Sequence, residues 1–209
     1  MTETVEELKA KLEAKLRNRH VSGRVLLDRF QMLDPDTVKL HGAYSDPSYM
    51  PFYLHLGRFV PAPRLLEFGF GTALASGCFC WGNGKVQEVL GFQPKRHGFY
   101  SARLGIANLS LVFKGRGHIY VGQVHDQDFV ARVGERRWDV ALVSDRESYD
   151  GTMTYLEAAW TGLEYDGLLC VDNLTADKMI GRAFADFCKI KNRPVTLIGT
   201  RYGVGLVKK

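Results

Sequence analysis

The segment Glu67-Phe68-Gly69-Phe70-Gly71 has the residue types and spacing of a ligand turn. Two glycines let the backbone bend sharply and let a ligand approach where a Cβ would stand in the way. A dinucleotide cradle would need a third glycine three positions after Gly71, but Leu74 is there and the next glycine is Gly77. The acid at Glu67 suits a ligand that carries a positive amine and a ribose. A tight strand-to-helix packing turn would use the same glycines. Further along, His125-Asp126 follows an apolar run, where a histidine could act as a general base or simply occupy a loop. The stripe Tyr49, Phe52, Tyr53 suits either an aromatic acceptor pocket or ordinary helix packing.

These residues need elements to position them, and the apolar pattern supplies a series. Val5, Leu8, Leu12 and Leu16 recur at helical spacing up to about Arg19, and a second helix is expected from Ser22 to Leu33, closed by Asp34-Pro35. Ser48 to Val60 forms a third. From residue 64 the pattern alternates, with strands at Arg64–Phe68, Val86–Phe92, His118–Val124, Asp139–Ser144, Leu168–Asp172, Val195–Thr200 and Gly203–Val207. Helices are expected at Thr72–Trp81, Phe99–Leu111, Gly151–Leu163 and Ala176–Ile190. The run Val140-Ala141-Leu142-Val143 is apolar throughout, as a strand buried on both faces must be. The last two strands are joined by too short a link for a parallel crossover, so they form an antiparallel hairpin. The fold class expected is α/β: a doubly wound, Rossmann-like, seven-stranded sheet with an antiparallel C-terminal hairpin, preceded by N-terminal helices. Residues 1–60 then form a helical cap or extension, and residues 61–209 the ligand-binding domain.

Composition limits the rest. Hydrophobic residues make up 45% of the 209 and charged residues 24%, an ordinary globular balance. No apolar run is long enough to span a bilayer, and Met1 to Lys11 lacks a signal-peptide core, so a cytoplasmic protein that avoids membranes is expected. Cys78, Cys80, Cys170 and Cys188 have neither disulfide nor zinc spacing and read as small core residues. The net charge of +5 has its excess after Lys178, scattered along a helix and a hairpin without stacking aromatics. That pattern fits a solvated surface better than a nucleic-acid site.

Three segments in order resemble the class I S-adenosylmethionine-dependent methyltransferases, over residues 48 to 209, about three quarters of the chain. They are Leu65-Leu66-Glu67-Phe68-Gly69-Phe70-Gly71-Thr72, Asp139 through Ser148-Tyr149-Asp150-Gly151, and Gly167-Leu168-Leu169-Cys170-Val171-Asp172-Asn173. The terminal Gly199 to Lys209 is similar to that family's closing hairpin, and the small-molecule O-methyltransferase branches are the most similar. The resemblance implies S-adenosylmethionine as cofactor, with Glu67, Gly69 and Gly71 against its methionine part. The family acid for the ribose falls at Gln93, and the one near the adenine falls at Gln123 or Asp126. Glutamine accepts hydrogen bonds without the strengthening that charge gives.

Catechol- and caffeoyl-CoA-type relatives also hold a divalent cation between an Asp after the fourth strand and an Asp-Asn pair after the fifth. By resemblance, Asp145, Asp172 and Asn173 would hold magnesium, with Asp145 also catalytic and beside the cofactor, while His125 is a catalytic candidate from its place after a strand alone. A gap-free match instead puts Ser144 at the first position, and the neighbouring lysine base of many relatives is here Arg146, which stays protonated. The plain alternative is that Asp172-Asn173 caps the next helix and Asp145 faces solvent.

The expected function is methyl transfer to a hydroxyl of a small molecule, in a protein that could pair as a homodimer. Gln93, Gln123 and Arg146 support the alternative of a methyltransferase-like binding module without catalysis. The basic C-terminal third alone favours an RNA or protein methyltransferase.

Overall fold

The computed structural model describes residues 3–18, 48–94, 98–122, 127–144 and 148–209. Helix α1 (Val5–Arg17) starts with a capping box: Thr4 Oγ1 accepts the Glu7 amide at 3.2 Å, and the Glu7 carboxylate accepts the Thr4 amide at 2.8 Å. Its periodic Leu8 and Leu12 are both buried. Helix α2 is Tyr49–Phe59, followed by β1 (Arg64–Phe68), α3 (Leu74–Gly82), β2 (Glu88–Pro94), α4 (Gly98–Ser110) and β3 (Arg116–Gly122). Then come α5 (Gln127–Gly134), β4 (Trp138–Val143), α6 (Tyr149–Gly162), β5 (Leu163–Val171), α7 (Lys178–Ile190), β6 (Thr196–Ile198) and β7 (Val204–Lys208). None of the described helices is long and apolar enough to cross a membrane.

The strands form one sheet in the order β3-β2-β1-β4-β5-β7-β6, parallel except for β7, which runs against both of its neighbours. This is the sheet expected from the sequence, with its antiparallel closing hairpin. The chain winds outward from β1 to β3 and then returns to β4 beside β1, so the switch point lies between β1 and β4. In open sheets of this kind ligands bind at the carboxyl ends near such a point. Helix α5 was not expected from the apolar pattern. Strand β5 starts five residues early, carried by Glu164 to Gly167 through a register shift against β4 and a left-handed Asp166 (φ 65). The expected helix at 22–33 lies outside the described residues.

Two apolar layers sandwich the sheet. On one face Leu65, Val140, Leu142, Leu168, Cys170 and Leu206 meet α1, α2 and α3. On the other, Leu66, Phe68, Ala141, Val143, Leu169 and Val171 meet α6 and α7. Helices α2 and α3 touch backbone to backbone: a Cβ on Gly57 would overlap the Phe79 carbonyl, and one on Gly82 the Leu54 carbonyl. The four cysteines are free and buried, as core residues should be.

Candidate active site

The glycine turn is held from three sides. Gly69 and Phe70 donate their amides to the Phe92 carbonyl at 2.9 and 3.0 Å, which ties the turn to β2. Ser144, just past β4, donates its amide to the Phe68 carbonyl at 3.0 Å and its hydroxyl to that of Gly69 at 3.2 Å. From α4, buried Asn108 donates Nδ2 to the Thr72 carbonyl at 3.0 Å. Gly69 (φ 83), Gly71 (φ 48) and Ala73 (φ 59) are all left-handed, which explains why glycine occupies two of the three positions. The ring of Phe70 fills the space a Cβ would take at Gly91 in β2 and at Gly105 in α4. Over Gly71, by contrast, a Cβ would meet only the Gly69 carbonyl, at 3.8 Å.

Gln93 has a definite task in this turn. Its side chain is 1% exposed, and Oε1 accepts the Gly71 amide at 2.6 Å. The residue at the ribose position of the sequence resemblance thus braces the turn through its carbonyl oxygen.

Glu67 lies below the turn, within β1 and 1% exposed. Burial pushes its carboxyl up to about 8. The hydroxyls of Ser76 and Ser144 and the Ser76 amide pull the other way without restoring an ordinary value. Its Oε2 has no hydrogen-bond partner. A buried carboxylate without a countercharge is costly, so the protonated form is favoured at neutral pH.

At the end of β5 the Asp172 amide donates to the Val143 carbonyl at 2.9 Å, while Asp172 Oδ1 accepts the Asn173 amide at 2.6 Å. Asn173 is left-handed (φ 65), and both side chains are buried. The pair does not cap the next helix, contrary to the plain alternative. That task falls to Asp177, whose carboxylate accepts the Met179 amide at 2.9 Å and the Ile180 amide at 3.4 Å. The loop is also laced to the closing hairpin, Leu174 donating to the Gly203 carbonyl and Thr175 to that of Tyr202.

The carboxyl ends of adjacent strands therefore bring together Glu67, Gly69, Gly71 and Gln93, with Asp172 and Asn173 two strands away. Gln123, His125, Asp126, Asp145 and Arg146 lie outside the described residues. Among the described residues no group of three or more His, Cys, Asp or Glu could hold a metal. Sequence reasoning missed Ser144 and Asn108 as supports of the turn, since a serine after a strand and an asparagine within a helix carry no distinctive spacing. Tyr53, seen as packing or pocket, reaches from α2 to lie near Cys170, Asp172 and Glu67.

No protein-family model matches the chain, and its sequence matches no curated protein. Solved structures do match. The SAH-bound methyltransferase PaMTH1 from Podospora anserina has a TM-score of 0.68 at 15% identity, over 99% of this chain and 97% of its own. An O-methyltransferase from Bacillus cereus in complex with SAH gives 0.66 at 13%, over 97% and 100%. The O-methyltransferase TomG from Streptomyces achromogenes, involved in tomaymycin synthesis and solved with SAM, gives 0.59 at 15%, over 84% and 90%. At such identities the likeness is one of architecture: the chain has the fold of these methyltransferases.

Proposed function

We propose that this protein is an S-adenosylmethionine-dependent methyltransferase that acts on a hydroxyl of a small molecule. The observation that carries the reading is Glu67 Oε2, a buried oxygen without a partner beneath a glycine turn at the sheet's switch point. That arrangement asks for a cationic ligand that can come close to the backbone. S-adenosylmethionine fits on both counts: its ammonium matches Glu67, and its bulk can pass over Gly71. When bound, it supplies a methyl group on a positively charged sulfur. The chain's part is to orient the acceptor and take up its proton, and His125 is the proposed base.

Asp172 and Asn173 are the proposed holders of a magnesium ion, with Asp145 as the third ligand. Their hard oxygens suit that ion, and Asp177 rather than this pair caps the next helix. The ion would lower the pKa of an acceptor hydroxyl. The N-terminal helices, Thr4 to Leu33, are proposed as the acceptor's cover or a dimer contact.

Calorimetric titration of the full chain with S-adenosylmethionine, with and without magnesium, tests the cofactor. Saturable binding supports the reading, and absence of heat at millimolar ligand overturns it. Methylation of pooled small-molecule hydroxyl acceptors then tests the chemistry. One observation favours a second reading, a binding module without turnover: Gln93 is uncharged and its oxygen is already engaged by Gly71. Cofactor binding with no methyl transfer to any acceptor would select it.

A further inference from the structure

The amino ends of the strands, opposite the candidate site, carry a charge imbalance of their own. Three connections meet there: Trp81 to Glu88 leading into β2, Leu111 to Arg116 leading into β3, and Arg132 to Arg137 leading into β4. Together they hold six cations, Lys85, Lys114, Arg116, Arg132, Arg136 and Arg137, all exposed, against two acids, Glu88 and Glu135. The first two connections touch. Arg116 donates its amide to the Gln87 carbonyl at 2.9 Å, and a Cβ on Gly115 would overlap that same carbonyl. Lys85, Lys114 and Arg116 are thereby gathered at one spot. Arg136 fastens the third connection to it, its guanidinium 2.5 and 2.6 Å from the two oxygens of Glu88, and neutralises that acid. The side chains of Lys85, Lys114, Arg116 and Arg132 have no hydrogen-bond or ion-pair partner among the described residues. Unpaired like charges repel, so their gathering does nothing for the stability of the free chain. The cations after Lys178 differ: Arg182 pairs with Asp186, Lys191 with Glu157, and Lys209 donates to the Trp160 and Leu163 carbonyls. Two large apolar side chains stand at the same end as the unpaired cations, Trp81 at 39% exposure and Leu111 at 42%.

We propose that this end of the molecule docks on an anionic membrane surface, its cations against lipid head groups and Trp81 and Leu111 entering the interface. Each Lys or Arg near an anionic bilayer adds to the attraction, and tryptophan is favoured at headgroup level. A nucleic acid would answer the charge as well, but a leucine beside the cations gains nothing from phosphates and sugars. Contact of this kind lies on the bilayer and needs no spanning helix. In this pose the carboxyl ends of the strands point away from the lipid, so the candidate site stays open to small molecules.

Sedimentation of the full chain with vesicles tests this. Phosphatidylcholine vesicles with about one-third phosphatidylglycerol should carry the protein down at about 0.1 M salt and release it at about 0.5 M, where charge is screened. Vesicles of phosphatidylcholine alone should bind it at least about tenfold more weakly. Lys114→Ala with Arg116→Ala should weaken binding to the anionic vesicles about 10- to 30-fold, and Lys85→Ala alone about fivefold. Lys178→Ala with Arg201→Ala removes the same charge from the opposite end of the sheet and should leave binding unchanged. Leu111→Gln should weaken it about threefold or more at constant charge. These positions are exposed, so melting temperatures should match wild type; Lys85→Ala, in a separate connection, stands as the test if the double variant is unstable. Equal loss in the two double variants, equal binding to both kinds of vesicle, or no sedimentation overturns the proposal. So does tighter binding to polyuridylic acid that Leu111→Gln leaves untouched, which would assign this end to a nucleic acid.

Discussion

The two faces of the sheet treat their polar groups differently. Under α6 and α7 the layer is aromatic and almost fully satisfied. Phe68 and Phe92 pack on Tyr155 with centroids 5.1 and 5.7 Å away, and Trp160 meets Phe187 edge-on at 5.5 Å. Trp138, the largest fully buried side chain, donates Nε1–H to the Val133 carbonyl at 3.0 Å. Under α2 and α3, by contrast, His55 and Glu67 each bury a polar atom with no partner. Unpaired buried groups are rare because each costs of order 1–3 kcal/mol. Their gathering on one face teaches that stability is concentrated on the other. On the proposed reading, the α2 face gives up stability to keep the Glu67 carboxyl ready for a ligand.

The strongest way to break this comparison is to strike the satisfied face. Trp138→Ala removes a fully buried indole and its hydrogen bond, and should cost about 3–5 kcal/mol in urea denaturation. Cofactor affinity of the molecules that remain folded should not change. A cost below about 1 kcal/mol would show that this layer is not the stabilising one.

The next test concerns the opposite face. The Glu67 carboxyl is raised from its ordinary value of 4.5 to about 8 by burial. Between those values the folded protein binds more protons than the unfolded chain. Its contribution is therefore fully present below pH 4.5, falls as pH rises to about 8, and is level beyond. The loss across that window is on the order of 5 kcal/mol. Glu67→Gln should flatten this slope, so that by thermal melting the variant matches wild type near pH 5 and exceeds it at pH 9. Parallel pH profiles would mean that Glu67 is already paired, and the α2 face would lose its main polar defect.

The sequence made much of this legible, for physical reasons that differ from place to place. The glycine turn could be read because left-handed positions such as 69 and 71 select for glycine. Strand β4 could be read because burial on both faces demands an unbroken apolar run, here Val140 to Val143. Helix α5 was missed because eight residues give barely two turns of period. The early start of β5 was hidden by Glu164-Tyr165-Asp166, polar residues that look like a loop and still continue the strand. In the site, residue type exposed Glu67, yet only the fold could show that Gln93 braces Gly71 or that Asp177 caps α7 in place of Asp172. Tyr53 was visible as an apolar helix position, but nothing in its spacing shows that the ring reaches down to Cys170 and Asp172.

The smallest expected effect gives the finest distinction between the faces. Thr152, in α6, is the exception on the satisfied side: its Oγ1 is buried and has no partner. If that hydroxyl is only a packing defect, Thr152→Val replaces it with a methyl group of similar shape and removes a desolvation cost. The variant should then be about 1 kcal/mol more stable, or equal, in urea denaturation. Its affinity for S-adenosylhomocysteine should match wild type. Glu67→Gln is expected to lose that affinity. The two variants thus separate an unpaired polar atom that waits for a ligand from one that waits for nothing. Loss of ligand affinity in Thr152→Val would show that the site extends through the sheet to α6, and the division between the faces would no longer hold.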